Sequence, residues 1–491
     1  MFMTVCKKIF AVSLACALLA ANVYAQDDWG SDAAEETSEP TFWDRFKISG
    51  DATLAGRAYF DSDSASSTEV KANPRFKLGF DYEGNATKFS SKIRFDEQTL
   101  KYDNEMILDE FSADLFVGNW VLSAGKMKVV WGKGDKLHVL DNFNSNNYYD
   151  FLIPDYLDRR NSEYMFRAQY NSPYGFRLEG IYAPMMHGET YAEKGPWVPN
   201  TMNVLKSNIK NIPLSISNYG NLMDAASKQD NMYPDTHSLE YGQFGGYFNF
   251  TIGLFDFGVS YYNGRYKQVS ADKTGLIALG YYSKVPSGLQ PAIASYIGFP
   301  KLAYDKVQSF GLDMQTALGP FTVRAEAVYN LTKDTDGTDP WTRNNSISYL
   351  LGFDVSLPIH NVTLNVQGTG NIVLKKDDIL DGKFLLAGAV PVATKEYDVD
   401  YDPTGCYTNH KIVVQLQDTF YYEKITATIK AIYGIERSDL LVMPEVSFKV
   451  RDGWKIAASG LVIHNFGTKE HSEFYGWLDN SFVQLAVNYT F

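Results

Sequence analysis

The sequence predicts an all-β chain, an antiparallel transmembrane β-barrel of about 18 strands, with 16 the other count the pattern allows. Three observations carry this expectation. Apolar and polar residues alternate with period two up to the last residue, Phe491. Short connections built from Gly, Asn, Asp and Pro alternate along the chain with long polar ones. Aromatic residues make up 15% of the chain, with 33 Tyr and 31 Phe, yet the mean hydropathy is only −0.25. Tyr suits a boundary between lipid and water because its ring is apolar and its hydroxyl is not. Lipid-facing and lumen-facing positions cancel in any average, so a barrel looks soluble in bulk.

Residues 1–25 read as a signal peptide. Lys7 and Lys8 supply the positive start, Ile9 to Ala21 the apolar middle, and Val23, Tyr24 and Ala25 the small-residue pattern before Gln26. That apolar run falls short of the roughly 20 residues of a spanning helix, and no later stretch reaches this length. With Cys6 and Cys16 in the signal, Cys406 is the lone cysteine beyond it, and no internal disulfide is expected. Residues 26–44 hold seven acidic side chains and no basic one, and read as a disordered periplasmic tail. An acidic plug entering a basic pore is the alternative. The barrel is assigned to 45–491.

At the start of the barrel, Phe46, Ile48, Ala52, Leu54, Ala58 and Phe60 share one face, and Lys47, Ser49, Asp51, Thr53, Arg57 and Tyr59 the other. Phe76, Leu78, Phe80 and Tyr82 then alternate with Arg75, Lys77, Asp81 and Glu83, and Phe89, Ile93 and Phe95 with Lys92, Arg94 and Asp96. Further strand segments lie at 164–171, 176–182, 321–331, 350–357, 362–370, 425–433, 444–451 and 454–463; the pattern is vaguest at 98–131 and 239–264. Tight turns fall at 83–85, 118–119, 172–175, 319–320, 358–361 and 451–453. Long connections fall at about 132–162, 183–238, 265–303 and 372–407, as expected for periplasmic turns on one rim and extracellular loops on the other. In the last strand Val483, Leu485, Val487, Tyr489 and Phe491 point one way. A terminal Phe in this setting matches the signal read by the outer-membrane assembly machinery, the protein partner expected besides lipid.

The charged face supplies the candidate functional residues. Arg57, Arg75, Lys77, Lys92, Arg94, Lys126, Lys128, Arg167 and Arg177 are assigned to the inner face of the N-terminal half, opposite Asp51, Asp81, Asp96, Glu110, Asp114 and Glu179. Opposed charges across a narrow lumen set up a transverse field, and a basic strip favours anionic or polar solutes. The plainer reading is that paired charges keep the inside wet and the register unique.

The run Gly125 to Gly132, GKMKVVWG, is followed by Lys133, Gly134 and Asp135, by Asp141, Asn142 and Asn144, and by Asp155, Asp158, Arg159 and Arg160. Over about 107–182 the chain resembles a family of bacterial outer-membrane barrels of unassigned function, distantly related to alginate-export porins. In that family a strand ending in Trp-Gly leads into a loop with Asp, Asn and a later Asp-Arg-Arg. Met127 stands where the family has Gln, and Lys133 where it has an acid. The resemblance implies a barrel with this loop at its surface or in its lumen, and names no substrate. Physically, Gly132 and Gly134 permit a sharp turn out of the strand, and Trp131 is expected at the membrane boundary. Asp158, Arg159 and Arg160 are candidates to pair across the pore and fold the loop inward; an ordinary loop-anchoring salt bridge is the alternative.

The apolar stretch 285–300 is too greasy to hang in water and suits a constriction loop or a port for hydrophobic compounds. Glu396, Asp398, Asp400 and Asp402 alternate with Tyr397, Val399 and Tyr401; they read as a solvated strand extension, since a calcium loop needs a Gly that is missing. No catalytic motif, metal motif or phosphate loop appears among the seven scattered His and the Gly-rich turns, with His360 and His410 nearest to barrel strands. Net acidity disfavours nucleic acid. The expectation is an outer-membrane, cofactor-free, non-enzymatic channel for small polar solutes. A channel for hydrophobic compounds and a surface adhesin or antigen anchored by the barrel are the alternatives, and oligomeric state is left open.

Overall fold

The structure, a computed structural model, describes residues 42–59, 70–192, 194–199, 233–271, 302–339, 342–380, 385–386, 390–391 and 399–491. The signal segment, tail residues 26–41, the stretch 285–300, Glu396 and Asp398 lie outside the described residues.

After a short 3-10 turn, Phe42–Arg45, the wall is built from 18 strands: β1 Phe46–Tyr59, β2 Val70–Glu83, β3 Thr87–Phe95, β4 Leu108–Val117, β5 Trp120–Met127, β6 Glu163–Asn171, β7 Phe176–Ala183, β8 Gln243–Ile252 and β9 Phe255–Arg265 make the first half. β10 Lys306–Leu318, β11 Phe321–Thr332, β12 Ser346–Ser356, β13 Thr363–Val373, β14 Thr408–Phe420, β15 Ile425–Gly434, β16 Asp439–Arg451, β17 Trp454–Asn465 and β18 Phe482–Thr490 complete it. Each strand pairs antiparallel with the next, and β1 pairs with β18 as well as β2, so the sheet is a closed barrel without edges. The count is therefore 18. The segments where the pattern was vague hold β4, β5, β8 and β9.

Eight connections of two to six residues lie on one rim, and the strand ends that lead into the longer connections, such as 128–162, lie on the other. Both ends of the barrel sit on the short-turn rim. There Gly50 and Phe491 exchange backbone hydrogen bonds of 2.9 and 3.0 Å, and the Phe491 ring lies over Gly50, where an added Cβ would meet it at 2.2 Å.

Strand alternation sends Ile48, Leu54, Leu351, Ile456, Leu485 and Val487 to the outer surface, where they are exposed. Aromatic rings gird this surface at the short-turn rim, through contacts such as Trp120 with Tyr170, Phe176 with Phe248, and Trp454 with Tyr489. A second set, including Phe76 with Phe95 and Tyr261 with Phe310, lies toward the long-loop rim. Phe244 and Phe250 on β8 belong to opposite sets; six residues apart, they span about 20 Å along the strand.

The hydrophobic core lies inside the barrel, in its long-loop half. One cluster joins Met127, Val129, Trp131, Leu140 and Phe143 to the inward-facing Met165, Ile181, Tyr247, Tyr262, Val307 and Val328 of the wall. A second packs Phe151, Trp197 and Phe474 against Leu441, Leu461, Ile463 and Phe482. Toward the short turns the inward positions are polar, as with Asp51, Thr53, Gln169, Asn249, Gln417 and Asn488.

Candidate functional site

The first cluster exists because the β5–β6 loop, 128–162, folds into the lumen. Gly132 opens the turn with φ +109°, a conformation that L side chains rarely adopt. The next residues then cross toward the far wall. Trp131, 2% exposed, donates its indole N–H to Glu179 of β7 at 2.9 Å, and Glu179 pairs with Arg167 of β6 at 2.8 Å. Trp131 is thus an interior residue and not a membrane-boundary one; its ring packs on Phe143 and Tyr247. A Trp with a buried acceptor inside gains more there than at the rim.

The far wall holds the crossing with carboxylates. Glu326 of β11 accepts the backbone N–H of Gly134 at 2.6 Å and of Val139 at 2.8 Å, and lies 3.1 Å from His138 Nδ1. Asp313 of β10 accepts the Tyr247 hydroxyl at 2.7 Å and faces Lys133 at 3.7 Å. On β13, Asn365 and Gln367 donate to Asp135 at 3.2 and 2.8 Å. Asn144 closes the root of the loop: it accepts Val129 N–H and donates to the carbonyls of Met127 and Asn161.

The returning half of the loop meets the opposite wall. Arg57 of β1 grips Asp150 in a bidentate pair at 2.6 and 3.0 Å and bonds Gln484 of β18. Asp158 receives Lys77 at 2.5 Å and Arg75 at 3.4 Å, both from β2. Burial alone would raise the Asp158 carboxyl, but Lys77 and Arg75 outweigh it and hold the group below the usual carboxylate range. Arg160 turns back into the loop, pairing with Asp141 at 2.8 Å. Asp141 is raised by its burial despite Arg160 and an accepted hydrogen bond from Tyr156. Arg159, half-buried, is lowered by desolvation. So Asp158 reaches across to the wall, while Arg160 anchors the loop to itself.

Between β1–β3 and this loop lies a cavity of about 290 Å³. Its β1–β3 side carries Arg57, Lys71, Arg75, Lys77 and Arg94 together with Asp96 and Glu97, its loop side Asp150, Asp155 and Asp158, and Lys194, Lys430 and Glu445 complete the charged lining. The other sequence-predicted residues extend the same pattern. Arg94 pairs with Asp96 at 3.2 Å, Lys92 with Glu110 at 3.1 Å, and Lys128 with Asp109 at 3.0 Å. Asp114 sits opposite Lys88 in the β3–β4 register. Arg177 keeps a buried Nε without a hydrogen-bond partner among the described residues. Lys126 stands apart. It follows Gly125, pairs in register with Tyr164 and not with inward-facing Met165, and its ammonium donates to the carbonyls of Glu105 and Leu108 at 3.1 and 2.8 Å. It tethers the β3–β4 connection and lies outside the lumen's register.

Asp400 and Asp402 spend their oxygens on protein donors: Asp400 accepts Asn344 N–H and faces Arg343, and Asp402 accepts the N–H groups of Thr404 and Tyr407. His360 bonds Asp418 at the short-turn rim, and His410 bonds Glu436 at the other. Glu326, Asp313 and the buried Glu163 were missed in the sequence. Their signal is an acid on the inward register of a strand with no base directly across from it.

A closed 18-strand antiparallel barrel narrowed by an inward loop is the class this chain falls in. No family model matches it, the alginate-export porins included, and no curated protein matches it in sequence. Among solved structures it is similar to OccAB4 of Acinetobacter baumannii at 10% identity, covering 91% of this chain and 97% of that one, with a TM-score of 0.46. It is also similar to OccK11 (OpdR) of Pseudomonas aeruginosa at 9% identity, with coverages of 91% and 95% and a TM-score of 0.44. The outer membrane channel DcaP of A. baumannii gives 8%, 91%, 97% and 0.39. The fold itself rests on the strand registers given above.

Proposed function

We propose that this chain is an outer-membrane channel through which small polar solutes diffuse, with the inward loop 128–162 as its constriction. The observation that carries the reading is the charged cavity between β1–β3 and the loop, where Arg57, Arg75 and Lys77 of the wall reach Asp150 and Asp158 of the loop, with Asp96, Glu97 and Glu445 also in the lining. Such an arrangement makes a transverse field that orients dipolar solutes and hinders apolar ones. The exposed apolar outer band with its aromatic girdles fits a bilayer and nothing aqueous. Arg57, Arg75, Lys77 and Arg94 each have an acid within 4.0 Å, so their preference for anions is modest. The charged lining weighs against a port for hydrophobic compounds.

A second reading, a barrel that chiefly anchors its long loops, draws on the two aromatic clusters that fill the long-loop half of the lumen. Planar-bilayer conductance separates the two. The channel gives stepwise ohmic conductance whose reversal potential in a salt gradient shifts toward cations in the Arg75→Ala, Lys77→Ala double variant. An inserted barrel that never conducts leaves the anchor.

A further inference from the structure

We propose that the long-loop rim carries a site for a divalent transition-metal ion, with Zn²⁺ as its best-suited occupant, formed by Glu105, His187 and His237. One ligand atom from each of these three side chains lies within 4.8 Å of the other two. They come from two separate loops: Glu105 from the β3–β4 connection, and His187 and His237 from the β7–β8 connection.

The orientation of the imidazoles is what marks the site. The Nδ1 of His187 is 2.8 Å from a carboxylate oxygen of Glu163, whose other oxygen accepts the His187 backbone N–H at 2.6 Å. Glu163 is fully buried at the root of β6, so it fixes the ring and leaves Nε2 as the ligand. Carboxylates hold zinc-binding histidines in this manner, and the contact raises the basicity of the free nitrogen. His237 is held more loosely: its backbone N–H donates to Asp235 at 2.9 Å, its Nδ1 lies 3.4 Å from the same exposed carboxylate, and its Nε2 is 4.0 Å from Glu105. The two rings meet edge to face at 5.4 Å.

Two imidazole nitrogens and one carboxylate oxygen are the ligand set of an open tetrahedral zinc site, with water in the fourth place. Ligand atoms around Zn²⁺ at bonds of about 2.0–2.1 Å sit roughly 3.4 Å apart, so the three groups need to close by up to about 1.4 Å. Glu105 and His237 are exposed side chains on loops and are free to do so. A small cavity beside them, of about 30 Å³, is lined by Asp103, Asp109 and His187, and has room for water. The Lys126 ammonium, hydrogen-bonded to two carbonyls, also lines this cavity, and its charge is offset there by Asp103, Glu105, Asp109 and the buried Glu163. Imidazole with one carboxylate selects Zn²⁺, Co²⁺, Ni²⁺ or Cu²⁺ over Ca²⁺ and Mg²⁺. A bound ion clasps the two loops together on the rim.

The test is Co²⁺ and Zn²⁺ titration of the refolded barrel, prepared without a polyhistidine tag. The expected result is one Co²⁺ per chain with the visible bands of a tetrahedral site, displaced by Zn²⁺ and unaffected by millimolar Ca²⁺. The His187→Ala, His237→Ala double variant abolishes the bands. Glu163→Gln, which leaves the three ligands in place, weakens binding by about 10- to 100-fold, and His410→Ala leaves it unchanged. Heat-modifiable migration in gels confirms that each variant is a folded barrel, and the exposed position of His237 makes His237→Ala alone a safe second variant. Absence of Co²⁺ binding to the unaltered barrel, or binding that persists in the double variant, overturns the site.

Discussion

Glu326→Ala tests the inward loop most directly. This carboxylate receives the N–H groups of Gly134 and Val139 and lies beside the His138 ring, all within the crossing segment. Removing it strands two backbone donors in a buried place, and each stranded donor costs about 1–3 kcal/mol. Taking about 3 kcal/mol for the pair, because water enters part of the gap, the ratio of docked to released loop falls by roughly a hundredfold. The wall does not depend on this side chain: β11 keeps its full ladders to β10 and β12. The loop therefore loosens while the barrel stays closed. Trypsin cutting at Lys133 or Lys136 reads the released state, and single-channel recordings should show larger, noisier openings. Equal protease resistance and equal conductance in the variant and the unaltered protein would refute the view that Glu326 holds the constriction.

Other changes have equally defined outcomes. Gly132→Ala puts a Cβ at φ +109° and 2.3 Å from a Glu326 oxygen; the strain of about 1–3 kcal/mol should release the loop in the same trypsin assay, whereas Gly175→Ala on the open rim should not. Asp158→Asn leaves Lys77 without its carboxylate and Arg75 with Asp51 alone at 4.0 Å. A unit charge acting at about 8 Å through water is worth about 0.5 kcal/mol, gained by an anion and lost by a cation, so the anion-to-cation permeability ratio should rise about fivefold, read from reversal potentials. Because the Asp158 carboxyl is lowered in the folded protein, its latch is fully present above the unfolded value near pH 4 and is lost as pH falls through the lower folded value. Conductance should hold steady to about pH 4 and change only below it; a transition at pH 5–6 would assign it to another group. Lys267 is half-buried against Gln243 and pushed down to about 7 by desolvation, so protonation costs stability as pH falls from about 10 to 7. Lys267→Met should flatten that part of the pH–stability curve in urea unfolding.

The wall was legible where inward positions meet water. In β1, β2 and β18 the period of two is clean, because lipid selects one face and solvent the other. It fails in β8 and β9 for a physical reason: Tyr247 and Tyr262 point inward yet are buried, since the folded-in loop replaces water there. An inward face that packs on protein turns apolar and erases the alternation. The same event hid the role of Trp131, whose partner Glu179 lies 48 residues away. Aromatic chemistry fits a membrane boundary and a packed interior equally well, and only the contact decides. Asp158 was readable as a cross-lumen partner because charge has few places to go inside a barrel. Glu326 was not, since its partners are backbone N–H groups that carry no side-chain signature.

The seam where Phe491 lies on Gly50 also governs timing. The residues that close the wall are the first and the last of the barrel, and loop closure across so long a span is slow. Until the final strand arrives, β1 presents an unpaired edge. Arg57 lacks Gln484 and the Phe482 ring, so the pocket that receives Asp150 is incomplete. The constriction loop thus finds its full docking site only after the wall has shut around it. Truncations from the C-terminus should accordingly yield chains whose interior is unset as well as whose wall is open.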